Sequence, residues 1–322
     1  MECSEFSLIE NYFNRQSTSR NDVRLGIGDD AAVLQLASNE QLVVTTDTLV
    51  EGVHFPKNTS PFDIAYKLMA VNLSDLAAMG AQPRWASLAL TLPEVNNDWL
   101  EQFSAGLFEL ASKYNVQLIG GDTTRGPLTL SLTLHGVVQS EEFLQRGGAK
   151  VGDAVIISGK LGDAGLALQQ LLASKKPQSE LLARLNRPTP RVELGQLLVG
   201  LASAAIDISD GLLADLGHIL TASHLGAELQ LENLPISDAV KSMVSTGDWS
   251  LPLAAGDDYE LCFTIAETAL AKLDMQRLAL TRVGTIVAVE GIRCLTATGE
   301  LYTPHGRGYE HFTSIHVEEP AQ

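Results

Sequence analysis

Six short segments of this chain set carboxylates beside glycine or small polar residues: GIGDDAAV (26–33), VVTTDTLVEGVHF (43–55), NLSDLAAMG (72–80), LIGGDTTRG (118–126), IDISDGLLADL (206–216) and AAGDDYEL (254–261). Any one of them alone reads as a turn, since Asp and Gly both favour turns. Together they collect Asp29, Asp30, Asp47, Asp75, Asp122, Asp207 and Asp210, a set that cannot sit close unless cations offset its repulsion. Oxygen ligands with no companion His suit Mg²⁺ and disfavour zinc. Gly-rich loops with few basic residues nearby, Arg125, Arg146, Lys150 and Lys160, suit a nucleoside triphosphate held through bridging Mg²⁺. Phosphoryl transfer needs positioning and charge neutralisation more than a covalent nucleophile. The chain has no Walker A segment and no protein-kinase signature set, so neither of those phosphate cradles is used.

These segments need strand ends and helix starts to hold them. Runs rich in β-branched and aliphatic residues predict strands at 41–45, 85–92, 116–119, 128–138, 153–158, 227–232, 259–266 and 281–289. Ser60-Pro61-Phe62-Asp63 reads as a helix start and Gly80 as its stop. A helix over 98–113 would put Leu100, Phe103, Leu107 and Leu110 on one face, and further helices are expected at 164–173, 192–202 and 212–222. The Gly-rich stretch 145–153 looks like a joint between two α/β halves, and 174–190, with three prolines and several polar residues, like a surface loop or an exposed connection. No repeat of solenoid length is present.

With 322 residues the chain is long enough for two domains of ordinary size, and 45% hydrophobic with 19% charged residues is globular composition. Its 39 acidic against 22 basic residues, a net charge of −17, disfavour nucleic acid and anionic membrane as partners. Cys3, Cys262 and Cys294 are too few and scattered for a disulfide framework, and no apolar run approaches a membrane span or a signal peptide. A cytoplasmic location is expected.

GIGDDAAV, TTDTLVEGVHF, NLSDLAAMGAQP, GGDTTRG, DISDGLLADLGH, DDYELCF and the terminal GYEHF, spread in order over nearly the whole chain, resemble the thiamine-monophosphate kinase family of the aminoimidazole-ribonucleotide-synthetase-like superfamily. The resemblance implies transfer of the ATP γ-phosphoryl directly to thiamine monophosphate, giving thiamine diphosphate and ADP with several Mg²⁺ ions and no phosphoenzyme. Motif by motif it implies metal ligands at Asp30, Thr45, Thr46, Asp47, Asp75, Asp122, Asp207 and Asp210, with Asp30, Asp47, Asp122 and Asp210 at the catalytic centre. Gly121, Asp122, Arg146 and Ser209 would touch ATP, and His54, Asp257 and Tyr309 the acceptor. It further implies an α/β fold of α+β type in two α/β domains. Residues 1–140 would form the metal- and ATP-binding domain whose strands pair in a homodimer, and 150–322 a domain closing over the nucleotide. One departure stands out: the family's Gly-Gly-Glu-Asp is Ala255-Gly256-Asp257-Asp258 here, one methylene shorter at the substrate position.

Each of these residues also has a plain structural reading. His54 could be a partly buried imidazole satisfied by a backbone carbonyl, Arg146 a solvated linker residue, Asp215 a cap or an exposed helix position, and Tyr309 a terminal hydrophobic plug. Other functions compete as well: a ribonucleotide cyclo-ligase, a selenophosphate synthetase, a hydrogenase-maturation dehydratase, or a non-catalytic Mg²⁺–nucleotide sensor. A selenophosphate synthetase would want a reactive Cys in a Gly-rich N-terminal loop and the dehydratase a C-terminal Cys, and neither pattern is present.

Overall fold

A computed structural model describes residues 5–306, 308 and 309; Cys3 and the Glu310-His311-Phe312 end of the last motif lie outside them. The chain opens with α1 (Glu5–Leu8), which runs on as a π-helical turn over Ile9–Phe13. Two short strands, β1 (Val23–Leu25) and β2 (Val33–Leu34), then pair antiparallel. The N-terminal half continues through β3 (Glu40–Val50), α2 (Pro61–Ala78), β4 (Gln82–Leu92), α3 (Asn97–Lys113), β5 (Gln117–Arg125) and β6 (Thr129–Gln139). Its sheet has the order β3-β6-β4-β5, parallel only between β4 and β5.

The start of α2 is the one its residues predict. The Ser60 hydroxyl accepts from the Asp63 N–H at 3.1 Å, Pro61 takes the first turn, and Gly80 ends the run with φ +68°. On α3, Leu100, Phe103, Leu107 and Leu110 are all buried, as their spacing requires.

The C-terminal half holds β7 (Ala154–Ser158), α4 (Asp163–Leu172), α5 (Ser179–Asn186), α6 (Val192–Leu198), β8 (Ala202–Asp207), α7 (Leu212–Ser223) and β9 (Gly226–Gln230). It is completed by β10 (Leu261–Ile265), β11 (Leu280–Val287), β12 (Gly291–Leu295) and β13 (Leu301–Tyr302). These strands form one sheet, β13-β12-β9-β11-β7-β10-β8, antiparallel except between β12 and β9. Two expectations are corrected here. The 174–190 segment is not all loop: α5 buries Leu181 and Leu185, four residues apart, while Pro177, Pro188 and Pro190 flank the helix instead of interrupting it. The helix expected at 192–202 stops at Leu198, where Gly200 at φ +74° turns the chain into β8.

Helix α2 lies between the two sheets, touching β3 and β6 on one side and β8 and β10 on the other. One apolar cluster therefore runs from Phe103 and Leu107 through Leu68 and Leu73 to Ile156 and Phe263. A second, around Leu212, Leu216 and Val283, fills the opposite face of the larger sheet beneath α7. Among the described residues no helix is long and apolar enough to cross a membrane.

Candidate active site

Three of the six acidic segments are not turns. Thr45, Thr46 and Asp47 lie inside β3, Asp75 inside α2, and Gly121 and Asp122 inside β5. Strand alternation then decides what meets what. On β3, Thr45 donates its hydroxyl to Asp75 of α2, so this side faces the helix and carries Asp47 with it. Thr46 and Thr48 face outward, their hydroxyls 2.9 and 2.7 Å from those of Thr133 and Ser131.

On the helix side the carboxyls of Asp47 and Asp75 lie against each other, and Asp207, at the end of β8, joins them from the larger sheet. Ser74 donates to Asp207 at 2.7 Å. Burial and then the charge of Asp75 push Asp47 up to about 7. Burial raises Asp75, against the opposing pull of Thr45 and Arg146, and raises Asp207 well above the carboxylate range. Asp47 Oδ2 is buried with no hydrogen-bond partner. A carboxylate oxygen left bare among mutually repelling acids fits a divalent cation with oxygen ligands. Among the described residues no three His, Cys, Asp or Glu side chains make a metal cage by themselves. That donor set suits Mg²⁺, which takes one or two carboxylates and completes its octahedron with water and substrate phosphate.

A cavity of about 820 Å³ opens beside this cluster, lined by Asp47, His54, Lys67, Ser209, Asp210, Asp257 and Tyr309 among others. The Val50 N–H donates to His54 Nδ1 at 3.0 Å, so a neutral ring carries its proton on Nε2. His54 thus accepts from a backbone N–H where the plain reading had it satisfied by a carbonyl, and it also lines the cavity. The loop before β10 is strained: Gly256, Asp257 and Tyr259 have φ of +71°, +61° and +49°. It is held by N–H donation from Asp257 to Ser209 O and from Tyr259 to Ile208 O, each 2.8 Å. Behind it, buried Glu260 accepts from Ser158, Arg184 and Arg191, and buried Asp258 accepts from the Gly162 N–H.

Asp215 resolves as a cap. Its Oδ2 accepts from the N–H groups of Ser209, Asp210 and Gly211 at 3.0, 3.0 and 3.1 Å, which shapes the turn before α7. Burial, with the charge of Asp210, raises it to about 7. The Tyr309 N–H donates to Asp210 O at 3.0 Å, which ties the C-terminal segment to the same turn and sets Tyr309 at the cavity rim.

Asp30, Gly121 and Asp122 sit elsewhere. They line a second cavity of about 880 Å³ with Ile9, Phe13 and the 27–32 loop. The register Asp122–Ala89–Ser131–Thr48 runs straight across the sheet, so Asp122 shares the outward face of Thr48, three strands or about 14 Å away. The expectation of one ligand cluster is therefore corrected within a single chain: Asp47, Asp75 and Asp207 converge beside Thr45, whereas the side chains of Thr46, Asp30 and Asp122 do not join them. Gly121 is required by contact, because a Cβ there would stand 1.9 Å from Leu88 O. Arg146 is exposed and lines neither cavity, acting on Asp75 only through its charge, and Ser209 lines the cavity of Asp257. Lys67 and Tyr259 were not anticipated. The available signal was a Lys inside the apolar run Ile64–Val71 of a helix buried almost all round, where a cation needs a partner.

The family model described as "AIR synthase related protein, N-terminal domain" matches residues 28–138, and the corresponding C-terminal domain matches 150–295. The thiamine-monophosphate kinase of Escherichia coli (strain K12) is 49% identical over 98% of this chain and 100% of its own length. The crystal structure of the thiamine-monophosphate kinase of Stenotrophomonas maltophilia K279a superposes with a TM-score of 0.84 at 48% identity, covering 93% of this chain and 98% of that one. AaThiL complexed with AMPPCP and TMP superposes at 0.76 and 30% identity over 97% and 98% of the two chains. By full-length similarity, in both sequence and fold, the chain belongs to the thiamine-monophosphate kinase family.

Proposed function

We propose that this protein transfers the γ-phosphoryl group of ATP directly to the phosphate of thiamine monophosphate, producing thiamine diphosphate and ADP in the cytoplasm. The observation that carries the reading is the bare Oδ2 of Asp47 among Asp75 and Asp207, beside a cavity holding His54, Asp257 and Tyr309. Asp47, Asp75 and Asp207 would hold Mg²⁺ with the Thr45 hydroxyl, and Asp210 faces the same cavity, whereas the Thr46 hydroxyl, outward on β3, stands on the side of Asp122. Asp30, Gly121 and Asp122 would serve ATP from the second cavity and Ser209 from the first, while Arg146, which lines neither, would contribute its charge. When bound, Mg²⁺ supplies neutralisation of the phosphate charge that these carboxylates would otherwise repel.

The chain's own groups have simple tasks. His54 Nε2–H donates to the acceptor phosphate, Tyr309 stacks on its cationic ring, and Asp257 accepts from its amino group. No general base is needed, because the acceptor oxygen is already ionised near neutral pH, with a second phosphate pKa of about 6. That accounts for a centre with no activated Ser, Cys or Lys nucleophile. Residues 1–140 are proposed as the metal-, ATP- and dimer-forming domain and 150–322 as the domain that closes over the nucleotide. The homodimer is supported by the outward face of the smaller sheet, where Leu42 and Val44 are 45% and 53% exposed beside the Thr46–Thr133 and Thr48–Ser131 pairs. A coupled assay for ADP release, run with thiamine monophosphate and a panel of other phosphorylated acceptors, tests the reading. Release that depends on thiamine monophosphate and Mg²⁺ is expected, and ATP turnover indifferent to the acceptor would refute it.

A further inference from the structure

Lys67 has no place in the chemistry described so far, yet it is the sole Lys or Arg among the described residues lining the acceptor cavity, against Asp47, Asp63, Asp210 and Asp257. Its side chain is 5% exposed, and Nζ lies 2.9 Å from Asp257 Oδ1, whose side chain is 26% exposed. The cation thus sits beneath the carboxylate and the carboxylate faces the cavity. A ligand entering the cavity reaches Asp257 before it reaches Lys67.

Two further observations give the pair a task. Lys67 belongs to α2 in the N-terminal half and Asp257 to the loop before β10 in the C-terminal half, so the pair joins the two across the cavity wall. Asp257 also occupies a left-handed backbone conformation between Gly256 and the equally left-handed Tyr259. Such a conformation persists only where the surroundings over-determine it. Without Lys67, the carboxylate of Asp257 would share the cavity with Asp47 and Asp210 and, among the described residues, no lining Lys or Arg. Along α2, the positions Asp63, Lys67, Val71 and Asp75 fall at four-residue spacing on one face. Lys67 and the carboxylate cluster at Asp75 are therefore set about 12 Å apart along one rigid element, eight residues at the helical rise.

We propose that Lys67 is the positioning residue for the acceptor, orienting the Asp257 carboxylate across the boundary between the two halves and offsetting its charge so that it can receive a cationic, amino-bearing heteroaromatic ring. The inference rests on the reading of Asp257 as an acceptor contact. It makes Lys67 act through Asp257 and not by touching substrate.

The test is a double-mutant cycle on the full chain with Lys67→Met, Asp257→Asn and the pair, following KM for thiamine monophosphate and for ATP separately. Lys67→Met is expected to raise the KM for thiamine monophosphate about tenfold or more, leave the KM for ATP within about twofold, and keep most of kcat at saturating acceptor. Lys67→Arg, which restores the charge, is expected to recover most of the loss. The double variant should bind acceptor no worse than Asp257→Asn alone, because a residue acting through another adds nothing once that other is gone. A general packing defect would instead move both KM values or give additive losses, and either result overturns the proposal, as does an unchanged KM for thiamine monophosphate. If Lys67→Met gives no cooperative melt, Lys67→Gln takes its place in the cycle with the same outcomes. Failure of the wild-type protein to use thiamine monophosphate refutes the functional reading together with this one. An active wild type with an unaffected Lys67 variant refutes this one alone.

Discussion

The carboxylate cluster should make the metal-free protein less stable than it would be without one of its acids, and Asp47→Asn measures this. Asp47 is raised from 3.8 to about 7 in the folded chain. A carboxyl raised in this way binds more protons folded than unfolded, so its contribution to stability is greatest below 3.8 and is lost as pH rises toward 7. At 1.36 kcal/mol for each pH unit over about three units, the cost of ionising it at pH 8 is on the order of 4 kcal/mol. Asn removes the charge but leaves a buried amide without a full set of partners, which takes back about 1–3 kcal/mol. The variant should therefore be more stable by about 1–3 kcal/mol at pH 8 in chelator, a rise in Tm of about 2–4 °C for a chain of this length. At pH 5 wild-type Asp47 is already mostly protonated, and the difference should close or reverse. Added Mg²⁺ should raise the Tm of the wild type at pH 8 and do much less for the variant, whose turnover should be largely lost. Thermal unfolding by circular dichroism at the two pH values, with chelator and with Mg²⁺, reads all of this. A variant that is less stable than wild type at pH 8 without metal, or a gain that ignores pH, would refute the electrostatic argument.

Other outcomes follow from single positions. Tyr309→Ala should raise the KM for thiamine monophosphate several-fold to tens-fold, the loss of about 0.5–2 kcal/mol of stacking and cation–π contact, and spare the KM for ATP; steady-state kinetics with each substrate varied decides. Gly121→Ala should cost about 2–3 kcal/mol and weaken nucleotide binding, since its Cβ would strike the Leu88 backbone; a wild-type Tm would refute the packing argument. Light scattering at micromolar concentration should return about twice the 34.5 kDa of one chain, and Val44→Lys on the exposed sheet face should shift it toward the monomer; a wild-type mass of one chain would remove the dimer.

What the residues told in advance was mostly local. The Ser60 cap, the Gly80 stop and the apolar stripe of α3 are read from neighbours within a turn or two, and each is found in place. Helix α5 escaped because its prolines count as loop signals until one sees that they stand outside Ser179–Asn186 and that Leu181 and Leu185 repeat at helical spacing. The short strands β1, β2 and β13 escaped for lack of length, since two or three residues carry no periodicity to recognise, and β12, polar and exposed at Gly291 and Arg293, lacks the apolar run that marks the equally short β7 and β10.

The candidate site divides along the same line. Repulsion among acids is a sound reason to expect a cation, but it does not say which acids are near each other; that depends on strand pairing between residues far apart in the chain. Thr45 and Asp47 share the inner side of β3 by simple alternation, whereas the outward placement of Asp122 follows only from the chain of partners through Ala89 and Ser131 to Thr48. Lys67 was hidden for the same reason. As a residue on α2 it looks like an anomaly in an apolar run, and it acquires a meaning only when Asp257 arrives from the other half of the molecule. The consequence is that the cavity proposed for the acceptor is lined by both halves at once. Any motion that separates the 256–259 loop from α2 would break the Lys67–Asp257 pair and move Asp257, and with it Tyr259, relative to Asp47 and Asp75. If Asp257 receives the acceptor as proposed, a ligand that needs Asp257 in place also favours the arrangement in which the 256–259 loop meets α2, and the two are linked through this ion pair.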